Sequence, residues 1–211
     1  MSTYDLEEQE QLASLKAWWK EQGGLVLLLI TGAAALGAAW NGWNWYQRHQ
    51  GAKAAAQYEV LLQHAGAHDL KGVREAAGGI LEQYPRTSYA AMAALVSARE
   101  HYRGGDRKTA RAQLEWLVGN SRSSEVRSIA RLRLASLVQE EGEFDAAIKI
   151  LDEKPEASFE ALFASTRGDI QLAQGKSQDA RASYRTALEA KSLDPGMRQL
   201  VQAKMDALGE S

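Results

Sequence analysis

Charged residues are spread along most of this chain, but between Gln22 and Gln47 there are none. The gap opens with Leu25-Val26-Leu27-Leu28-Leu29-Ile30 and continues as an Ala/Gly stretch to Ala39. Trp18 and Trp19 stand before it, and Trp40, Trp43 and Trp45 close it. A helix over residues 24–43 is about 30 Å long, the hydrocarbon thickness of a bilayer. Tryptophan favours the headgroup level, where its ring is shielded and its N–H stays wet. The pattern predicts one membrane crossing, with Trp18, Trp19, Leu25, Leu29, Trp40, Trp43 and Trp45 as anchor and belt. Two rivals compete. A cleavable signal fits the small residues Gly37, Ala38 and Ala39, but signals begin with a short basic region and this leader is acidic. A buried core helix needs a larger protein around it. Lys16 and Lys20 before the span balance Arg48 and Lys53 after it, so the flanking charges leave the orientation open.

Before the span, Leu12, Leu15 and Trp19 recur at helical spacing and predict either an amphipathic interfacial helix or an extension of the span into water. Residues 1–10 read as a disordered acidic tail. After Gln47 the apolar period stays helical and turns repeat. Gly105-Asp106 precedes Ala110 and Leu114, Gly142-Glu143 precedes Ala147 and Leu151, and Gly175-Lys176 precedes Ala180 and Tyr184. The glycines are 37 and 33 residues apart, near the tetratricopeptide period. Small residues let paired helices approach: Ala98, Ala135 and Gly168 in the first helices, Ala110, Ala147 and Ala180 in the second. Leu114, Leu151 and Tyr184 fill the space toward the next repeat. A generic helical bundle is the alternative. Tyr58, Leu61 and Leu62 with Ile80, Leu81 and Tyr84 mark a degenerate first pair, whose second helix Gly78-Gly79 weakens. Met197, Leu200, Val201, Met205 and Leu208 predict a closing helix.

The fold class is therefore all-α: a single N-terminal transmembrane helix followed by a tetratricopeptide-like helical-repeat domain. Residues 1–23 form the acidic leader with its amphipathic segment, 24–46 the span and 47–211 the repeats.

Charge and chemistry narrow the function by exclusion. The first 24 residues carry five acidic and two basic side chains, so with a total of −2 the remainder is nearly neutral, unlike a nucleic-acid binder. The absence of cysteine removes disulfides, thiolate metal sites and cysteine nucleophiles. His64 and His68 have the i, i+4 spacing of paired metal ligands, but only Asp69 is near as a third, and an exposed loop is the favoured reading. His49 and His101 read as isolated, solvated or capping histidines. No activated nucleophile or acid–base pair emerges, so no enzyme, cofactor or metal is expected. Arg99, Arg103, Arg107 and Arg111 recur every four residues across Gly104-Gly105. They read either as a surface for an acidic partner or as a solvated face paired with Glu100, Asp106 and Glu115.

Leu15-Lys16-Ala17-Trp18-Trp19-Lys20-Glu21-Gln22-Gly23-Gly24 ahead of a single span resembles the entry segment of the ancillary SecYEG translocon subunits. Ala110-Arg111-Ala112-Gln113-Leu114-Glu115-Trp116, Arg131-Leu132-Arg133-Leu134-Ala135 and Arg167-Gly168-Asp169-Ile170-Gln171-Leu172-Ala173-Gln174-Gly175 extend the likeness over essentially the whole chain. The resemblance implies a bacterial inner-membrane protein with a cytoplasmic N-terminus and a periplasmic repeat domain. It further implies association with SecYEG and with a membrane-anchored periplasmic chaperone of the prolyl-isomerase type, in a non-catalytic adaptor that passes translocated proteins to chaperones. The alternative is a tetratricopeptide scaffold of another envelope complex unrelated to secretion.

Overall fold

The computed structural model describes residues 3–209, which hold nine α-helices and no strand. The chain divides into two compact units, Met1–Gln50 and Gly51–Ser211. Helix α1, Thr3–Gly66, runs through the boundary between them. The expected disordered tail is thus helical backbone from Thr3 onward, while Met1 and Ser2 lie outside the described residues.

In the first unit α1 has no companion helix. Leu12, Leu15, Trp18 and Trp19 are each about half exposed or more, as are Leu25, Leu29, Trp40, Trp43 and Trp45. The Trp19 indole lies over Gly23, where a Cβ would sit 3.1 Å from the ring. Trp45 stacks on His49, centroids 5.4 Å apart and planes 4° from parallel, so His49 is not isolated.

The second unit is a series of antiparallel pairs. The end of α1 packs against α2 (Leu70–Gln83), with Leu61, Val73, Ala77 and Ile80 sharing a core with Ala90 and Ala93. Next come α3 (Ser88–Arg103) with α4 (Arg107–Asn120), α5 (Ser124–Glu140) with α6 (Phe144–Ile150), and α7 (Glu160–Ala173) with α8 (Ser177–Glu189). Helix α9 (Pro195–Asp206) covers the last pair, burying Val201 against Ala180, Tyr184 and Ala187. The first pair is regular: α2 runs unbroken through Gly78-Gly79, contrary to the expected weakening, because its buried face of Val73, Ala77 and Ile80 outweighs glycine's poor helix propensity. The third pair is not. Helix α6 has only seven residues, and Leu151, expected inside it, is its buried C-cap. Pro155 disfavours helix at the residue before it, and a 3-10 turn, Ala157–Phe159, fills the connection to α7.

One turn recurs within every pair. Gly105, Gly142 and Gly175 have φ of 81°, 82° and 78°. In each case the glycine N–H donates three residues back and the following N–H five back, as Gly105 to Tyr102 and Asp106 to His101. This is the Schellman motif, which satisfies the last carbonyls of the helix. The first pair turns the same way, with the His68 N–H donating to Ala65 and the Asp69 N–H to His64, but the left-handed position is held by His68 at φ 55°. A side chain there costs roughly 1–2 kcal/mol, and glycine recovers most of that after its own entropy loss. His68→Gly should therefore stabilise the full chain in detergent by about 1 kcal/mol, seen as a raised melting temperature by circular dichroism. A lowered one would show that the imidazole makes a compensating contact.

Candidate partner-binding groove

Helices α3, α4 and α5 meet around a cavity of about 420 Å³. Its floor is Ala98, Ala110, Leu114, Leu132 and Leu137. The alanines leave the space open because they bring backbones together without filling it. Around the rim stand Arg99, Tyr102, Arg133 and Glu140. The Tyr102 hydroxyl donates to Glu140 at 2.7 Å, a bond that holds the phenol above its ordinary range. Arg107 pairs with the other Glu140 oxygen at 3.3 Å. The result is an apolar slot with a fixed polar edge, suited to seating side chains of another polypeptide.

The four arginines expected to form a basic row do not present one. Arg99 and Arg103 end α3 and share the buried Glu100 at 2.7 and 3.6 Å. Arg111 on α4 bonds Glu115 along its own helix and Glu141 and Glu143 in the next repeat, at 3.0, 2.6 and 2.9 Å. Those bonds hold the Glu143 carboxyl low and raise the guanidinium further. Asp106, expected to neutralise this row, belongs elsewhere: it accepts from Arg74 at 2.5 Å. The row is divided because the left-handed turn at Gly105 separates two antiparallel helices.

Aligning the repeats explains Arg111. Arg74 reaches the N-cap Asp106 of the following repeat, and Arg111, at the equivalent place, reaches Glu143. The next equivalents are Ile148 and Lys176, so this clasp ties the first two junctions and not the third. That signal was readable in the sequence, since Arg74 and Arg111 precede their turns by the same interval.

His101, expected at the surface, is fully buried beside this clasp. Its Nδ1 is 3.2 Å from the Asp106 carboxylate without the alignment of a hydrogen bond, and Nε2 has no partner among the described residues. Burial foremost holds the imidazole below its ordinary range, opposed by Asp106 and reinforced by Arg74. A histidine neutral when folded but free to protonate when unfolded contributes fully above about pH 6.5, and its contribution is lost as pH falls below that. Asp69, Asp106 and Glu143, held low, lose theirs only in the ordinary carboxylate range below. Melting of the full chain should drop between pH 7 and pH 5, and His101→Gln should flatten that slope. An unchanged slope would place the titrating group elsewhere.

The remaining expected residues fall as follows. Ala98, Ala110, Leu114, Ala135, Ala147 and Leu151 lie in one core with Leu117, Ile170 and Phe163. Gly168 sits under the ring of the buried Tyr184, and Ala180 shares that second core. His64 bonds the N-cap Asp69 at 2.9 Å, and among the described residues no three His, Cys, Asp or Glu side chains converge on a metal-sized site. Within the same limits α1 is the one helix long and apolar enough to cross a membrane.

A family model described as a tetratricopeptide repeat-like domain matches residues 16–210, including the apolar segment. The chain is 33% identical over 207 residues to a protein of Neisseria gonorrhoeae named ancillary SecYEG translocon subunit, covering 96% of this chain and 98% of that one. It is 32% identical to the protein of that name from Aggregatibacter actinomycetemcomitans, with 97% and 99% covered. Against its Escherichia coli namesake the identity is 25%, with 95% and 96% covered.

Proposed function

The chain belongs to the family of ancillary SecYEG translocon subunits, and on that premise we propose that it is a non-catalytic adaptor tethered at the Sec protein channel. The observation that carries this reading is that the likeness to proteins of that name covers nearly the whole of both chains, and the repeat-like family model spans the apolar helix as well as the repeats. The residues after the span, 47–211, form the periplasmic part, and the acidic leader before it is cytoplasmic. The span holds the repeats within reach of the channel exit. Tethering raises the local concentration of one module near another, so modest contacts suffice for association. The groove among α3, α4 and α5 supplies such contacts, and helical repeats present extended surfaces suited to helices or unfolded segments. Through that domain the protein links translocated polypeptides to a membrane-anchored periplasmic chaperone of the prolyl-isomerase type.

A photo-crosslinking amino acid placed at Asn41 or Asn44, beside Trp43 and Trp45, tests the reading in intact cells. Recovery of channel subunits is the expected result. Recovery of only unrelated envelope proteins would refute it.

A further inference from the structure

A second pocket lies on the edge of the repeat domain opposite the left-handed turns. The α2–α3 connection and the α4–α5 connection frame a space of about 300 Å³ whose lining is mostly apolar. Trp116 forms its floor, half-buried and packed against both the Leu61–Ile80 core of the first pair and the Leu114–Leu134 core beyond it. Met92 projects beside it, 42% exposed. Five of the six tryptophans belong to the segment around the span, so Trp116 is the one that the repeat domain keeps.

Polar groups around this mouth divide into two kinds. Thr87 and Ser123 are engaged as helix caps, accepting from the Ala90 and Val126 N–H groups. Arg127 donates to the Ser121 carbonyl at 2.8 Å, and the Glu125 carboxylate accepts from the Ser123 hydroxyl at 2.5 Å. Arg86 and Arg122, both exposed and both lining the pocket, have no carboxylate partner among the described residues. That separates them from Arg99, Arg103, Arg107 and Arg111, each of which is paired with a carboxylate. Tryptophan and arginine are enriched at binding hot spots, and methionine is enriched at interfaces as an adaptable apolar contact.

We propose that this pocket docks a polypeptide partner by one large apolar side chain flanked by carboxylates. The side chain enters over Trp116 and Met92, and the carboxylates meet Arg86 and Arg122. The volume admits one aromatic or branched side chain and is short for an acyl chain, which favours peptide over lipid. The inference deepens the adaptor reading and rests on it for the partner's biological role.

The test uses the full chain in dodecyl maltoside micelles and fluorescence anisotropy of a labelled peptide with one phenylalanine between two aspartates on a glycine–serine background. Two exposed ion pairs are worth about a tenfold change in affinity. The acidic peptide should bind about tenfold more tightly than a version with lysines for the aspartates, and clearly more tightly than one with alanine for the phenylalanine. The variant Arg86→Glu/Arg122→Glu, altered only at exposed positions, should reverse the charge preference, and Met92→Ala should weaken all phenylalanine peptides alike. Equal binding of the three peptides, an unreversed preference, or displacement by short-chain phosphatidylglycerol as effective as by unlabelled peptide would overturn the proposal. The crosslink from Asn41 to the channel is read in parallel. Its retention beside a failed peptide preference rejects the pocket alone, and its loss beside an intact preference rejects the adaptor reading.

Discussion

Gly168→Ala should destabilise the C-terminal pair of the repeat domain by about 2–3 kcal/mol, the upper range for overpacking a filled core. A Cβ on Gly168 would lie 2.5 Å from Cε1 and 2.6 Å from Cδ1 of Tyr184, whose side chain is fully buried. The ring cannot swing aside, because both ends are fixed. Its hydroxyl donates to Asp169 at 2.8 Å, and burial foremost, reinforced by that acceptor, holds the phenol well above its ordinary range. Asp169 is held in turn by Lys204 on α9, at 2.7 and 2.8 Å, so the closing helix is tied to the same ring. Adding one methyl group therefore strains α7, α8 and α9 together. Thermal melts of the full chain in detergent should show a loss of about 5–10 °C. Tyr184→Phe removes only the hydroxyl and should cost about 1 kcal/mol. In the double variant Gly168→Ala/Tyr184→Leu the smaller side chain makes room for the methyl, so the two effects should combine to less than their sum. Strict additivity would show that glycine is needed there for a reason other than the ring.

That contact shows what was readable from the chain and what was not. Glycine in helix α7 and tyrosine in helix α8 stand at the small and bulky positions of the repeat pattern, but the spacing aims Tyr184 at the next repeat, whereas its ring covers Gly168 within its own pair. The turn glycines were legible because a backbone at φ near 80° all but requires glycine, so the requirement leaves a mark in the sequence. The first turn left no such mark, because His68 occupies the same left-handed position. The series of turn glycines therefore starts only with the second pair. The pairing of Arg99 and Arg103 with Glu100, and of Arg111 with Glu115, is legible as local spacing, but four-residue spacing signals a common face only while the helix continues, and the row crosses the turn at Gly105. The further partners of Arg107 and Arg111, Glu140, Glu141 and Glu143, come from the following repeat, and such contacts depend on how repeats stack. The burial of His101 is illegible for the same reason: it follows from packing beside Arg74 and Asp106, contributed by different pairs.

The span is the feature with the largest energetic leverage. The variant Ile30→Asp/Ala34→Asp should release the full-length chain from membranes. Aspartate near the middle of a membrane helix costs about 3 kcal/mol for insertion, against a slightly favourable or near-neutral value for the residues replaced. Two on one helical face, four residues apart, therefore oppose insertion by roughly 6 kcal/mol. The structure offers them no relief within the first unit. Leu28, Ile30 and Leu36 are 70%, 57% and 74% exposed, and the first unit holds no second described helix to supply a donor or a water-lined cavity. The same exposure argues that lipid covers the wild-type segment, because water does not tolerate an apolar surface that runs from Leu25 to Tyr46 on every side of the helix. A helix satisfies its own backbone, which removes the other obstacle to crossing. In alkaline carbonate washes the wild-type chain should stay in the pellet at full length, and the double variant should move to the supernatant. A full-length wild-type chain in the supernatant would show that the segment does not cross the bilayer, one shortened to begin near Trp40 would make it a cleaved signal, and either would remove the tether on which the adaptor reading depends.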